Sequence, residues 1–199
     1  MTLAKTSPAS WALPSEPNLP RVQPIELRND RESLTAIATQ LLPRARNLIR
    51  YLIHGDQDVD DIAQEALLAV LRGLSSYRGE GSFESWADRV VARVTFAWLR
   101  RRKPHRSYAV ELGTETSAAD IAMPDEYLRR RRLVGLLDLL PHEQRYALVL
   151  HHVLGLSVTE IATETVTKAE TVRTRLRLGR QHLRALADPD FSDGEAAHE

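Results

Sequence analysis

Hydrophobic residues recur at helical spacing in long segments of the first half of the chain. These segments read "LTAIATQLLPRARNLIRYLI", "VDDIAQEALLAVLRGLSSY" and "FESWADRVVARVTFAWLRRRK". Apolar side chains spaced three and four residues apart line one face of a helix, so each segment is predicted to be an amphipathic helix. Pro43 predicts a kink or break in the first helix. Ser82 can cap the start of the third helix, which Pro104 ends.

The second half of the chain has the same helical periodicity. "EYLRRRRLVGLLDLL" precedes "PHEQRYALVLHHVL", in which Pro141 suits a first helical position, and Gly155 suits the C-terminal cap. No segment reads convincingly as a strand, so the predicted fold is all-α, with two small helical domains joined by a flexible linker. The predicted divisions are a disordered tail over 1–30, a helical domain over 31–106, a linker over 107–126, a helical domain over 127–187 and an acidic tail over 188–199.

Two helix-start signatures lie close together near the end of the second domain. Ser157 with Glu160 and Thr167 with Glu170 each have the spacing of a capping box. They predict helices over 158–165 and 168–186 with a tight turn between them, which is helix-turn-helix spacing. Many such turns contain glycine, but here Val166 occupies the turn. Because a β-branched residue resists positive φ, the turn is expected to be built differently.

The second helix of this pair separates apolar from charged side chains. At about 100° per residue, one side carries Ala169, Val172, Leu176, Gly179, Leu183 and Leu186. The opposite side carries Glu170, Thr174, Arg177 and Gln181, flanked by Arg173, Arg180 and Arg184 on one edge and by Lys168 and Arg175 on the other. Such a face can read base edges in a major groove while the flanking cations meet phosphates. The alternative is an ordinary amphipathic surface helix.

Charge is segregated along a chain with no net charge. The 27 basic and 27 acidic residues balance, yet "DQDVDDIAQE" is acidic and "RRRKPHR" is basic. Such blocks favour separate surfaces for separate partners, although solvated helix faces would look similar. Cysteine is absent, no apolar run is long enough to span a membrane, and the N-terminus lacks the apolar core of a secretory signal. These features predict a cytoplasmic protein with no membrane insertion.

The sequence contains few candidates for catalytic or metal-binding residues. His142, His151 and His152 are the tempting residues, but they lack the usual spacing of metal ligands on a helix. No phosphate-binding loop, nucleophile motif or plausible carboxylate pair is present. We therefore expect no catalytic residue, no metal and no cofactor.

In this order and spacing, the motifs resemble those of the extracytoplasmic-function (ECF) group of the sigma-70 family of bacterial RNA polymerase sigma factors. "DVDDIAQEALLAVLRGLSSYRGEGSFESWADRVVARVTFAWLRRRK" resembles sigma region 2, and "LLPHEQRYALVLHHVLGLSVTEIA" with "ETVRTRLRLGRQHLR" resembles region 4. The resemblance implies promoter-specific transcription initiation for a small stress- or signal-responsive regulon. The implied partners are promoter DNA, the clamp helices of the largest subunit of core RNA polymerase, and an anti-sigma factor.

The resemblance also implies a role for each matching position. Core polymerase would be bound by Asp58, Asp60, Asp61, Gln64 and Glu65. The minus-ten promoter region would be engaged by Tyr77, Arg78, Phe83, Trp86, Arg89, Arg93, Arg100 and Arg101, although core packing is the favoured alternative for Trp86. The minus-thirty-five element would be read by Lys168, Glu170, Thr171, Arg173, Thr174, Arg175, Arg177 and Gln181, with phosphate contacts from Arg180 and Arg184.

A stand-alone helix-turn-helix regulator is the main alternative function. In that case the first domain would sense a ligand or dimerise. It would explain the charged second helix equally well, but it leaves the acidic helix and the aromatic, arginine-rich segment of the first domain without a role. The two functions differ in their need for polymerase, because a regulator binds duplex promoter DNA unaided.

Overall fold

The computed structural model describes residues 30–101 and 125–187, and the regular structure within these ranges is helical, which confirms the all-α prediction. The first lobe consists of α1, α2 and α3, which span Arg31–Leu52, Val59–Gly73 and Phe83–Arg101. The second lobe consists of α4, α5, α6 and α7, which span Asp125–Asp138, His142–His152, Val158–Thr165 and Ala169–Ala187. The predicted tails lie outside the described residues except for Asp30, and so does the predicted linker except for the start of α4.

The first helix begins where its sequence offers a cap and then passes through its proline. The carboxylate of Asp30 accepts a 2.9 Å hydrogen bond from the backbone N–H of Ser33. A kink or break was predicted at Pro43, and the break is wrong, because Pro43 lies inside the continuous helix α1. Leu41 before the proline and Leu48 after it are both buried. Packing on either side of Pro43 therefore helps to keep α1 continuous, against the cost of the missing backbone hydrogen bond.

A buried ion pair fastens α3 to α1. The guanidinium of Arg44 donates two hydrogen bonds to the carboxylate of Asp88, at 2.8 and 2.7 Å. Burial raises the pKa of Asp88, and Arg44 partly opposes that shift. The two-pronged geometry fixes the rotation of α3, because both oxygens must meet both nitrogens. The N-terminal half of α3, which carries several predicted promoter-contacting residues, is thereby held in place.

The two lobes pack against each other through a shared hydrophobic core. One cluster of buried residues includes Leu48 of α1 and Ala92 of α3 from the first lobe, and Leu148 of α5 and Val172 of α7 from the second. Tyr146 of α5 also crosses the boundary, since its hydroxyl donates a 2.6 Å hydrogen bond to the carbonyl of Ala92. The helices α5 and α1 therefore form the centre of the contact between the lobes.

Arg145 of α5 inserts its charge into the C-terminal end of α1. Its guanidinium donates to the carbonyls of Tyr51 and Arg50 at 2.7 and 2.6 Å, and to the carboxylate of Asp138 at 2.5 Å. The last carbonyls of a helix lack hydrogen-bond donors within it and carry partial negative charge. A buried cation there supplies the donors and also balances the charge. Burial lowers the pKa of Arg145 to about 10, which still leaves it charged at neutral pH.

The turn between α6 and α7 has the left-handed geometry that usually calls for glycine. Val166 adopts φ 51° and ψ 47°, and its side chain is 79% exposed. The expectation of a differently built turn is therefore wrong. Thr167 N–H bonds to the carbonyl of Ala162 at 2.9 Å, which closes the end of α6 as in a glycine-containing turn. The surrounding packing thus imposes a conformation that the valine disfavours.

Candidate functional site

The last helix, α7, has the two-sided character predicted from its sequence. Val172, Leu176, Gly179 and Leu183 are buried, whereas Leu186 at the end of the helix is 39% exposed instead of buried. The exposed side chains are Lys168, Glu170, Thr171, Arg173, Thr174, Arg177, Arg180, Gln181 and Arg184, and Arg175 is partly buried. The predicted reading face and its flanking cations therefore lie together on one open surface.

Close packing against α5 sets the position of α7. A Cβ added at Gly179 would lie 2.9 Å from Cδ1 of Leu148 and 3.3 Å from the Cβ of Gln144. Glycine therefore lets the axes of α5 and α7 approach more closely than any other residue would allow. The helix begins at Ala169, one residue later than predicted, and the Thr167 hydroxyl lies 2.7 Å from that of Thr165. The Ser157 capping box at the start of α6 is confirmed.

The aromatic residues predicted to engage the minus-ten region form one cluster in the first lobe. The rings of Tyr77, Phe83 and Trp86 lie 5.4 to 5.6 Å apart, centroid to centroid. The hydroxyl of Tyr77 donates a 2.8 Å hydrogen bond to the carbonyl of Gly81, which closes the loop before α3. Phe83 and Trp86 are partly buried against the smaller core of the first lobe. The cluster thus supports the loop while keeping part of each ring at the surface.

Arginines on one exposed side of α3 are paired with carboxylates of α6. Arg93 donates two hydrogen bonds to the carboxylate of Glu164, at 3.0 and 3.3 Å. Arg89 reaches Glu160 at 3.3 Å. Glu160 also accepts from the backbone N–H and hydroxyl of Ser157, and these hydrogen bonds lower its pKa. The first helix of the helix-turn-helix therefore presents a negative edge to α3.

The acidic side chains of α2 differ in how much of their charge is already paired. Asp60 accepts from Arg46 of α1 at 2.7 Å, and Glu65 accepts from Arg101 of α3 at 2.8 Å. Asp61 is exposed and has no hydrogen-bonding or ionic partner among the described residues. Gln64 is exposed on the same side of the helix, and Asp58 precedes its first turn. The remaining predicted minus-ten residues, Arg78 and Arg100, are exposed.

Two histidines, His54 and His142, lie at the contact between the lobes. His54 lies at the boundary with its Nδ1 3.1 Å from Nδ1 of His142 and its Nε2 3.1 Å from the carbonyl of Leu140. Burial and the charge of Arg145 lower the pKa of His54 to about 4. Within residues 30–101 and 125–187 no group of three or more His, Cys, Asp or Glu is arranged to hold a metal. In the same ranges no helix is long and apolar enough to cross a membrane.

Sequence reasoning missed the residues that join the lobes. The sequence pattern assigns no role to Arg145, yet its side chain is fully buried. Glu160 is identifiable from the capping box, but its pairing with Arg89 depends on the packing of two distant segments. Helical spacing alone does not report which face of α6 meets α3. No local signal would have found these partners.

Comparison with known proteins identifies the family. The family model "Sigma-70 region 2" matches residues 37–105, and "Sigma-70, region 4" matches residues 130–183. The chain is 30% identical over 142 residues to the "ECF RNA polymerase sigma factor SigM" of Mycobacterium tuberculosis, an alignment that covers 67% of this chain and 68% of that protein. The chain belongs to the ECF group of sigma-70 factors.

Other ECF sigma factors are similar to different extents. The chain is 34% identical over 141 residues to the "ECF RNA polymerase sigma factor SigE" of Mycolicibacterium smegmatis, covering 68% of this chain. It spans 54% of the length of that relative. The sigma factor RpoE from Bartonella quintana, solved in complex with the anti-sigma factor NepR, has a similar fold, with a TM-score of 0.51 at 17% identity. That alignment covers 78% of this chain and 97% of the RpoE chain.

Proposed function

We propose that this ECF sigma factor binds core RNA polymerase and directs it to a small set of stress- or signal-responsive promoters. The observation that carries the proposal is the coexistence of two separate charged surfaces. Region 4 presents an exposed, arginine-rich face on α7, and region 2 presents an exposed acidic stripe on α2. A nucleic-acid surface and an acidic protein-docking surface on one chain fit a factor that joins an enzyme to DNA.

Region 4 is proposed to place α7 in the major groove of the minus-thirty-five element. Thr174 and Arg177 are exposed on the face opposite the buried stripe, where side chains can meet base edges. Arg180 and Arg184 lie further along the flank of the helix, where phosphates are the expected contacts. The short left-handed turn at Val166 between α6 and α7 fits the connection expected in a helix-turn-helix.

Region 2 is proposed to hold the opened minus-ten strand. Bases freed from a duplex are stabilised by aromatic surfaces and by cations along the backbone. The partly exposed residues Tyr77 and Phe83 would supply the aromatic surfaces. The cations would come from Arg78, Arg89 and Arg93. In the packing of the two lobes, Glu160 forms an ion pair with Arg89, and Glu164 forms one with Arg93. Promoter DNA would then have to displace these carboxylates from the two arginines.

The clamp helices of the largest polymerase subunit are the proposed docking site for α2, and an anti-sigma factor is the proposed inhibitor. The anti-sigma proposal is supported by the fold similarity to RpoE of Bartonella quintana, which was solved with the anti-sigma factor NepR. We propose no catalytic role for the chain itself, so RNA synthesis would belong to the polymerase. We expect no cofactor.

The test is whether promoter binding depends on polymerase. A duplex promoter selected from a randomised library is labelled, and its binding is measured by fluorescence anisotropy. The measurement is made with the chain alone and with the chain plus purified core polymerase. A sigma factor is expected to bind the promoter selectively and tightly only with the core enzyme. Equal, tight and sequence-selective binding by the chain alone would support the stand-alone regulator instead.

A further inference from the structure

Four exposed arginines form a stripe along α7, which we call the arginine stripe. Its members are Arg173, Arg177, Arg180 and Arg184, all of them exposed. Their spacing of four, three and four residues places them on one side of the helix. Glu170 is the one acid within α7, and it bonds to Arg173 at 2.9 Å. Both partners of this pair are more than half exposed, so water screens it and most of the positive charge remains available.

The neighbouring helices do not cancel the charge of the arginine stripe. The acids of α6, Glu160 and Glu164, pair with Arg89 and Arg93 of α3 instead. The one acid within α5 is Glu143, in its first turn. Even with Glu143 counted beside Glu170, the four arginines leave net positive charge on this side of region 4. A negatively charged partner would therefore meet several cations at once.

The residues that follow α7 carry the opposite charge. The helix ends at Ala187, and the twelve residues of the acidic tail, 188–199, contain no lysine or arginine. The tail lies outside the described residues, and its acids are Asp188, Asp190, Asp193, Glu195 and Glu199. An acidic segment is therefore tethered directly to the end of the basic helix.

The acidic tail is long enough to return along the arginine stripe. Arg173 lies 14 residues before Ala187. This stretch of helix is about 21 Å long at a rise of about 1.5 Å per residue. Twelve extended residues span about 40 Å, so the tail can reverse its direction and still reach Arg173. The tether also keeps the acids at a high effective concentration near the arginines, which favours pairing even when each ion pair is weak.

We propose that the acidic tail docks on the arginine stripe of α7 and competes there with the phosphates of DNA. This inference rests on the proposed function of region 4 and adds a regulation of its DNA-binding face. Carboxylates and phosphates both accept hydrogen bonds from guanidinium groups, so the same arginines serve either partner. The tail lowers the affinity of the free chain for any duplex, because DNA must displace the tail to reach the stripe.

The weakness of exposed ion pairs suits this role. Water and salt screen each pair, so the tail docks reversibly. Duplex DNA carries one charge per about 1.7 Å of its axis, which is a denser line of charge than the tail offers. DNA therefore displaces the tail when the holoenzyme brings α7 to a promoter. The tail reduces binding of the free chain to bulk DNA without preventing promoter recognition.

The first test measures binding of the full-length chain, without polymerase, to a labelled duplex of random sequence. The tail-neutral variant is Asp190→Asn/Asp193→Asn. It should bind the duplex about threefold more tightly than wild type at low salt, because fewer carboxylates compete for the stripe. The gain should shrink as salt is added, since salt screens the tail from the arginines. Fluorescence anisotropy gives the affinities, and circular dichroism checks that each variant is folded.

The control changes net charge by the same amount away from α7. Glu32→Gln/Glu80→Gln alters two exposed acids of the first lobe, and its gain in affinity should be no more than about 1.5-fold. If this control gains as much as the tail-neutral variant, net charge explains the effect and competition by the tail is overturned.

The second test measures the distance from the tail to the start of α7. The chain contains no cysteine, so Val166→Cys/Ala197→Cys takes spin labels at these two positions alone. Pulsed electron paramagnetic resonance should give a distance that lengthens by about 10 Å when the tail is released. Three changes should release it: addition of duplex DNA, the tail-neutral substitutions, and about 1 M salt, where the screening length is about 3 Å.

The two tests separate failure of this inference from failure of the proposed function. A label distance that neither salt nor the tail-neutral substitutions change would overturn docking of the tail. A distance that responds to salt but not to bound duplex would overturn the competition. If the labels show docking while no variant binds duplex DNA at low salt, the tail contact stands and the DNA-binding role of α7 is contradicted.

Discussion

Arg93 and Glu164 form a two-pronged ion pair that joins region 2 to region 4. The guanidinium on α3 meets both carboxylate oxygens on α6, at 3.0 and 3.3 Å. If Arg93 contacts single-stranded DNA as proposed, this carboxylate competes with a phosphate for the same guanidinium. The side chains are 60% and 31% exposed, so the pair is weak and a competing polyanion can displace it. The closed packing therefore limits access to Arg93 without preventing it.

Reversing the charge at Glu164 should favour DNA binding by the free protein. In Glu164→Lys, the new cation repels Arg93 and no longer competes with phosphate. We expect the affinity for single-stranded minus-ten DNA to rise by a few fold, measured by fluorescence anisotropy at low salt. Glu32→Lys makes the same change in net charge at an exposed position on α1. If both variants bind DNA equally well, net charge explains the effect and the Arg93 pairing does not.

Arg145 should be the most sensitive polar residue of the lobe contact. Arg145→Met removes the donors to the carbonyls of Arg50 and Tyr51. It also removes one of the cations that balance the charge of Asp138. The free energy of unfolding should fall by about 2–4 kcal/mol, measured by urea denaturation. Arg131→Met on the exposed side of α4 is the control and should change stability by no more than about 0.5 kcal/mol. A loss at Arg145 no larger than this control would contradict the structure of the contact.

Mild acid should weaken the packing of the lobes through His54. The pKa of His54 is about 4 in the folded protein, below the ordinary value of 6.5, because burial, the charge of Arg145 and His142 disfavour the imidazolium. The unfolded chain therefore takes up the proton more readily, and stability is lost as the pH falls from 6.5 towards 4. Asp138, which faces the same site and bonds to Arg50, partly offsets this effect.

The measurement is the free energy of unfolding from neutral to mildly acidic pH. Because His54 is only half-buried, its share of the loss should be about 1–2 kcal/mol rather than the full value of the pKa shift. His54→Gln cannot take up the proton, so its stability should depend less steeply on pH. Parallel curves for His54→Gln and wild type would exclude His54 as the source.

Base contacts and phosphate contacts should be separable on α7. Arg177→Ala should cost about 1–3 kcal/mol on the preferred minus-thirty-five sequence and change the ranking of single-base variants. Arg184→Ala should weaken all sequences alike and reduce the slope of log affinity against log salt by about 0.9. The measurement is holoenzyme binding to the wild-type and single-base-changed elements at several salt concentrations. If Arg184→Ala reorders the sequences and Arg177→Ala does not, a different face of α7 lies in the groove.

Local patterns in the sequence predicted the helices and the faces of α7, because apolar spacing and capping residues act within a few turns of chain. The turn at Val166 escaped prediction for a physical reason. A valine costs about 1 kcal/mol or more in the left-handed region, and only the tertiary packing of α6 and α7 shows that this cost is met. Pro43 is similar, because burial on both sides of it keeps α1 continuous.

The lobe contact depends on information that is not local. Arg145 and the carbonyl of Tyr51 meet across the boundary between the lobes, and so do Arg93 and Glu164. The resemblance implies a minus-ten role for Arg93, but it does not reveal that the side chain meets a carboxylate of α6. For the same reason the acidic stripe of α2 is readable from the sequence, whereas the pairing of Glu65 with Arg101 is not.

Transcription with purified core polymerase tests the central proposal most directly. The template is a promoter library with randomised minus-ten and minus-thirty-five elements, and the products are sequenced to find where each RNA starts. We predict RNAs with defined start sites only when the chain is added, from templates that share one pair of elements. Asp61→Lys should abolish these RNAs by preventing docking. Absence of chain-dependent transcripts, together with tight binding of the chain alone to duplex DNA, would contradict a sigma factor and favour a stand-alone regulator.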